Sequence, residues 1–207
     1  MRHPLRLGAL AALLACLLLS ACGTLPGQTV SLHPNVTVPA GNIGKGRSVA
    51  LRVLDGRQDK VLGYRNMDAS RTAPIKLEGE RELPEGIGLV ASKALTDLGF
   101  QVVPPKESAN RSLTITVRDL SYKADALTVT KKMAVKCVLA AKAQSGPGVW
   151  EGTYPVSQEK EVVMTPDMDA NARFINEVLS ESLSMLLSDP ELVQFLGRET
   201  LQGKPIN

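Results

Sequence analysis

Histidine, cysteine and aromatic residues are scarce in this chain. It holds two histidines and three cysteines in 207 residues, and aromatics make up 3%. The one run with the length and apolarity of a membrane-directed segment, Leu7 to Leu19, is shorter than the roughly 20 residues a spanning helix needs. Each shortage excludes something. His3 and Cys16 fall in the N-terminal leader, so His33 and Cys137 are the only histidine and free thiol expected after it. A metal site built on His and Cys ligands and a Ser-His-Asp triad both lack their residues. With Cys22 committed elsewhere, no internal disulfide can form. Charge excludes a further class. There are 24 basic and 21 acidic residues, and Arg2 and Arg6 belong to the leader, so the remainder is close to neutral. Nucleic-acid binding calls for a strongly basic surface, and none is expected.

What is present begins with an export signal. Arg2 and Arg6 precede an uncharged apolar run, and the run ends in Leu19-Ser20-Ala21-Cys22. Two small residues before a cysteine, with an aliphatic residue ahead of them, form a lipobox. Cleavage is therefore expected between Ala21 and Cys22. The Cys22 thiolate takes a diacylglycerol group, and after cleavage its freed amine takes an N-acyl chain, making it an N-palmitoyl, S-diacylglycerol cysteine. Two or more acyl chains give stable anchoring, whereas one is marginal. Gly23 follows, not the Asp associated with inner-membrane retention, so the expected address is the outer membrane with the domain facing the periplasm.

Residues 1–21 thus read as a lipoprotein signal peptide, 22–47 as an acylated cysteine with an extended tether, and 48–207 as one α+β domain. The tether reading rests on Pro26, Pro34 and Pro39 interleaved with Gly27, Gly41, Gly44 and Gly46. Fully extended, such a leash reaches roughly 80 Å, though Val30 to Pro39 could pack as an edge segment. From Ser48, Val49, Leu51 and Val53 alternate as in a strand, and Asp55-Gly56-Arg57 reads as a turn. Ile75 to Leu77 reads as a short strand. Leu83, Ile87, Val90, Ala94 and Leu98 share one face of a helix over 84–98, stopped by Gly99.

Longer strands follow around Leu113-Ile115-Val117, around Met133 to Ala141 and around Trp150 to Val156, with a turn at Gly146-Pro147-Gly148. A helix over 167–188 carries Phe174, Ile175, Val178, Leu179, Leu183, Met185 and Leu186. Asp189-Pro190 caps a last short helix that ends at Gly197. The expected fold is an antiparallel sheet of about four to five strands with two helices on its apolar face.

The residues also carry a resemblance. The lipobox, Val30-Ser31-Leu32-His33-Pro34 with Val38-Pro39, Val53-Leu54-Asp55-Gly56-Arg57 with Leu62-Gly63, Ala94-Leu95 to Gly99-Phe100, Leu120-Ser121-Tyr122, Tyr154, Ile175-Asn176 to Leu179, and Asp189 with Leu192 and Phe195-Leu196 occur in this order. Together they resemble the YajG family of bacterial envelope lipoproteins. The resemblance implies an envelope address and brings no reaction, cofactor or site residue.

Candidate binding residues are Asp55 and Arg57, with Arg65 nearby, and the lysines Lys131, Lys132, Lys136 and Lys142. The first group is either a charged pocket or a hydrogen-bonded turn. The lysines either meet anionic head groups or glycan, or form the solvated face of a strand. Cys137 lies among apolar strand neighbours and reads as core. Trp150 and Tyr154 read as core anchors more readily than as a sugar platform. No cofactor or metal is expected. Partners are the membrane, through the anchor, and an envelope protein. Three functions stay open: a non-enzymatic binding protein of the envelope, a lipid- or small-ligand-binding accessory of a transport system, and a hydrolase of envelope polymer. The last lacks its general base. An apolar cavity between sheet and helices would favour the second, and a filled core the first.

Overall fold

The fold is given by a computed structural model that describes residues 26–65, 73–79, 81–105, 109–126 and 130–199. The expected signal peptide, with the cleavage site and lipidation expected at Ala21 and Cys22, lies outside these residues. In chain order the elements are β1 (Gln28–Val30), β2 (Ser48–Asp55), β3 (Val61–Tyr64), β4 (Pro74–Leu77), α1 (Glu82–Asp97), β5 (Gln101–Val103), β6 (Arg111–Ala126), β7 (Lys131–Ser145), β8 (Gly148–Val162), α2 (Met168–Leu187) and α3 (Pro190–Gly197). They form an α+β fold with two mixed sheets, ordered β5-β2-β6-β7-β8 and β1-β4-β3.

Alternation decides the main sheet's two faces. In β7, Met133, Val135, Cys137, Leu139, Ala141 and Ala143 are buried while Lys136 and Lys142 are exposed. The buried row meets α2, whose Phe174, Ile175, Val178, Leu179, Leu183 and Leu186 are buried in turn. In β6 the alternation changes phase. Leu113, Ile115 and Val117 point inward, then Leu120 and Tyr122 do, because the register with β7 shifts between Val117 and Asp119. Such a bulge lets odd positions before it and even positions after it share one face. Met185, read as part of the apolar stripe of α2, is 48% exposed; Ser182 takes a core position instead and donates to the Tyr154 carbonyl at 2.8 Å.

Pairing direction departs from the expected antiparallel sheet. β6–β7 and β7–β8 are antiparallel, but β2 runs parallel to both β5 and β6. Periodicity reports which face a side chain takes, not which way its strand runs. The direction follows from connectivity: β2 and β5 are linked by a crossover containing α1, which a parallel pair requires.

The segment before β2 takes the second of its two readings, that of a packed edge segment. It is extended, but it is a strap on the domain and not a free leash. β1 pairs with β4, and Val30, Leu32 and Val38 are buried in the main core. The backbone N–H groups of Leu32, His33 and Asn35 donate to Glu82 Oε1 (2.8 Å), Asn176 Oδ1 (2.7 Å) and Ser180 Oγ (2.9 Å). The strap therefore lies between the start of α1 and the middle of α2. Its backbone is bonded to the end of α1. Gly41, Gly44 and Gly46 donate to the carbonyls of Asp97, Leu98 and Gly99 at 3.1, 3.0 and 2.8 Å, satisfying acceptors that a helix end leaves open. A Cβ on Gly44 would stand 2.4 Å from the Gly99 carbonyl carbon. The small sheet is pressed as closely on the large one: a Cβ on Gly63 would meet the Tyr122 carbonyl oxygen at 1.9 Å.

Candidate functional site

Asp55 is the last residue of β2, at a strand end where a turn begins. Its carboxylate accepts from Arg57 Nε at 2.9 Å, Arg57 Nη2 at 3.0 Å, the Arg57 backbone N–H at 3.1 Å and Lys60 Nζ at 2.9 Å. The Arg57 side chain is 4% exposed, and its Nη1 has no partner among the described residues. Burial by itself pushes the Asp55 carboxyl up. The hydrogen bonds from Arg57 and Lys60 outweigh it and hold the group down to about 2. A carboxylate this acidic is a poor base at neutral pH. The pair lines a cleft of about 370 Å³ with Lys60, Lys76 and Leu77, so three cations surround one anion. Arg65 is not part of it. Its guanidinium donates to the carbonyls of Pro26 (3.2 Å) and Pro166 (3.3 Å), at a different place on the molecule. Lys60 and Lys76 were not singled out from the sequence. A lysine five residues beyond a turn aspartate was the available signal for the first, and none pointed to the second, which lies on β4.

The lysines fall on the open face of the main sheet, and each finds an acid on a neighbouring strand. Lys132 pairs with Glu159 at 2.6 Å, Lys136 with Asp119 at 3.1 Å and Lys142 with Glu151 at 2.8 Å. Between them Thr114, Thr116, Ala140 and Thr153 line a shallow hollow of about 400 Å³. The register places these acids: Glu151 stands directly opposite Lys142, while Glu159 is diagonal to Lys132. Lys131 does not join the row, because it is one residue out of phase and bonds the Thr165 hydroxyl instead.

Cys137 is fully buried, and burial pushes its thiol up to about 12. Tyr154 is buried and donates to Asp189 Oδ2 at 2.6 Å, whereas Trp150 is only partly buried. A polar chain crosses the base of the strap: Tyr122 donates to Asn171 Oδ1 at 2.9 Å, Asn171 Nδ2 to Gln28 Oε1 at 3.1 Å, and Gln28 Nε2 to the Met168 carbonyl at 2.6 Å. The helix–sheet interface itself is filled by side chains. Leu83, Ile87, Leu113, Leu139, Leu179 and Leu183 are all fully buried there. Among the described residues, no three His, Cys, Asp or Glu side chains gather as a metal ion requires, and no helix is long and apolar enough to cross a membrane.

Fold and surface define a small α+β domain whose sheet-face lysines Lys132, Lys136 and Lys142 are paired with acids. Two solved structures share the fold. A protein of family DUF330 from Xanthomonas campestris is 15% identical, with a TM-score of 0.51 over 83% of this chain and 96% of that one. A second, uncharacterized protein is 10% identical, with a TM-score of 0.50 over 78% and 97%. At these identities the likeness is one of fold. No curated protein matches the chain. The family model described as "Uncharacterized lipoprotein" matches residues 34–197. The chain belongs to that YajG-type lipoprotein family, as the order of its motifs implied.

Proposed function

We propose that this lipoprotein is cut before Cys22, acylated there, anchored in the outer membrane, and works in the periplasm by binding an envelope protein without catalysing a reaction. The address rests on the lipobox and on Gly23 after the cysteine. The observation that carries the binding reading is that the acid at the end of β2 and the lysines of the open sheet face are held in preformed ion pairs. Asp55 is held by Arg57 and Lys60, and Lys132, Lys136 and Lys142 each face an acid. Preformed pairs on a rigid sheet present a fixed charge pattern to a partner and favour specificity and encounter more than raw affinity. The Asp55 carboxyl, held down to about 2, is a poor base near neutral pH. The filled helix–sheet interface supports this reading over that of a lipid-carrying accessory, which needs a cavity there.

Photo-crosslinking in cells tests it, with a photoreactive residue at Lys136 or Lys60 and a control at Met185 on the outer face of α2. A discrete adduct with an envelope protein from either of the first two, absent from the control and from a Cys22→Ser strain, is expected. Blank crosslinking at both, together with turnover of an envelope polymer by the purified protein, overturns the reading.

A further inference from the structure

Most exposed large apolar residues here stand alone, which is ordinary on a protein surface. Val163, Met164 and Met168 do not. They are 74%, 79% and 50% exposed and sit within one short stretch, the link that follows β8 and the first residue of α2. The strap enters the domain at the same place. One guanidinium, that of Arg65, donates both to Pro26 O at 3.2 Å and to Pro166 O at 3.3 Å, and the Gln28 side chain donates to the Met168 carbonyl at 2.6 Å. Pro26 is four residues after Cys22 in the sequence, so the covalent chain allows no more than about 14 Å between them.

We infer that Val163, Met164 and Met168 form a contact edge that lies in the head-group region of the membrane holding Cys22. This rests on acylation at Cys22, proposed above. The strap decides the occupant. A leash of twenty-five residues would leave the patch free to face anything, but a chain packed from Gln28 onward keeps it within one short reach of the bilayer. Apolar side chains near an acyl anchor add their own burial at the lipid boundary, roughly 5–10 Å deep for interfacial elements.

The charges nearby are mixed. Lys131 bonds Thr165, Lys132 pairs with Glu159, and Glu161, Asp167 and Asp169 are close in sequence. The contact is therefore apolar, and raising the salt concentration should not release it. The same placement stands β8 away from the membrane, with Val149 at its far end, about 46 Å of strand from Val163. The Asp119–Lys136 and Glu151–Lys142 pairs then fall at increasing distance from the bilayer along β6, β7 and β8.

Val149 is the internal control, being 53% exposed at the other end of the same strand. An environment-sensitive fluorescent amino acid is placed at Met164 or at Val149 in the full lipoprotein. The acyl chains are confirmed by mass, and the protein is reconstituted in phosphatidylethanolamine–phosphatidylglycerol vesicles with nitroxide-labelled lipid. Several-fold quenching at 164 and none at 149, unchanged by salt, is expected. Equal quenching at both positions, or at neither, in acylated vesicle-bound protein overturns the contact edge while the anchor stands. Loss of quenching in salt overturns its apolar basis. A blue shift at 164 without lipid quenching, with crosslinks between Met164→Cys copies, gives the patch to a second copy and overturns the proposal. Absence of acyl mass removes the anchor and the inference together.

Discussion

The strap over 28–38 and the β6–β8 sheet are both extended chain, yet they are held in different ways. The sheet is held by its own ladder, with registered pairs running from Arg111↔Ser145 to Ala126↔Lys131 and from Lys131↔Val162 to Ser145↔Gly148. Beyond the three pairs of β1 with β4, the strap has almost no ladder. It is held by a few buried side chains and by donations to Glu82, Asn176 and Ser180, residues 50 to 145 positions away. A ladder is local and repetitive, so it leaves a mark on the sequence. Bonds to distant side chains leave none on the segment that receives them.

Three perturbations separate the two regions, the largest first. Leu139→Ala empties a fully buried position in the middle of β7, the strand between β6 and β8. It should cost about 3 kcal/mol of global stability, read as a lower midpoint in urea with the slope unchanged. Acid acts next, at the end of β2. The Asp55 carboxyl lies at about 2 against an ordinary 3.8. A depressed folded value means its contribution, on the order of 2 kcal/mol, is complete above the unfolded value and is lost as pH falls from about 4 through 2. Asp55→Asn should flatten that part of the stability-versus-pH curve. The smallest change belongs to the strap. Asn176→Ala removes the acceptor for His33 N–H and the donor to Ser31 O, at 2.7 and 3.2 Å. It should cost about 1–2 kcal/mol, with the loss confined to strap amides in hydrogen exchange and the β7 amides unchanged.

Much of the α+β class was legible in the sequence, and the reasons are local. Gly146-Pro147-Gly148 announced the β7–β8 turn, and Asp167 and Asp189 announced two helix starts, where they accept from Ala170 N–H at 2.7 Å and Glu191 N–H at 2.8 Å. What failed was long-range. Parallel pairing of β2 with β6 depends on a crossover and not on alternation. Packing of Val30 to Pro39 was an open alternative that the prolines and glycines weighed against, although Gly44 is small so that the chain can touch the end of α1. Val30, Leu32, Val36 and Val38 did keep strand alternation, and that was the signal to weigh more heavily. At the candidate site, Asp55 and Arg57 were found because the turn that joins them is local. Arg65 was misplaced because the seven residues of chain between it and Arg57 carry it past β3.

The claim on which the anchor geometry depends is that the chain is packed from Gln28 onward and is no leash. Native-state hydrogen exchange at the His33 and Asn35 amides, measured on the folded protein, tests it most directly. Protection of both amides well above free-chain rates, lost selectively in Asn176→Ala for His33, is the predicted result. Exchange of both at the rate of an unstructured peptide, while β7 amides stay protected, would contradict the account.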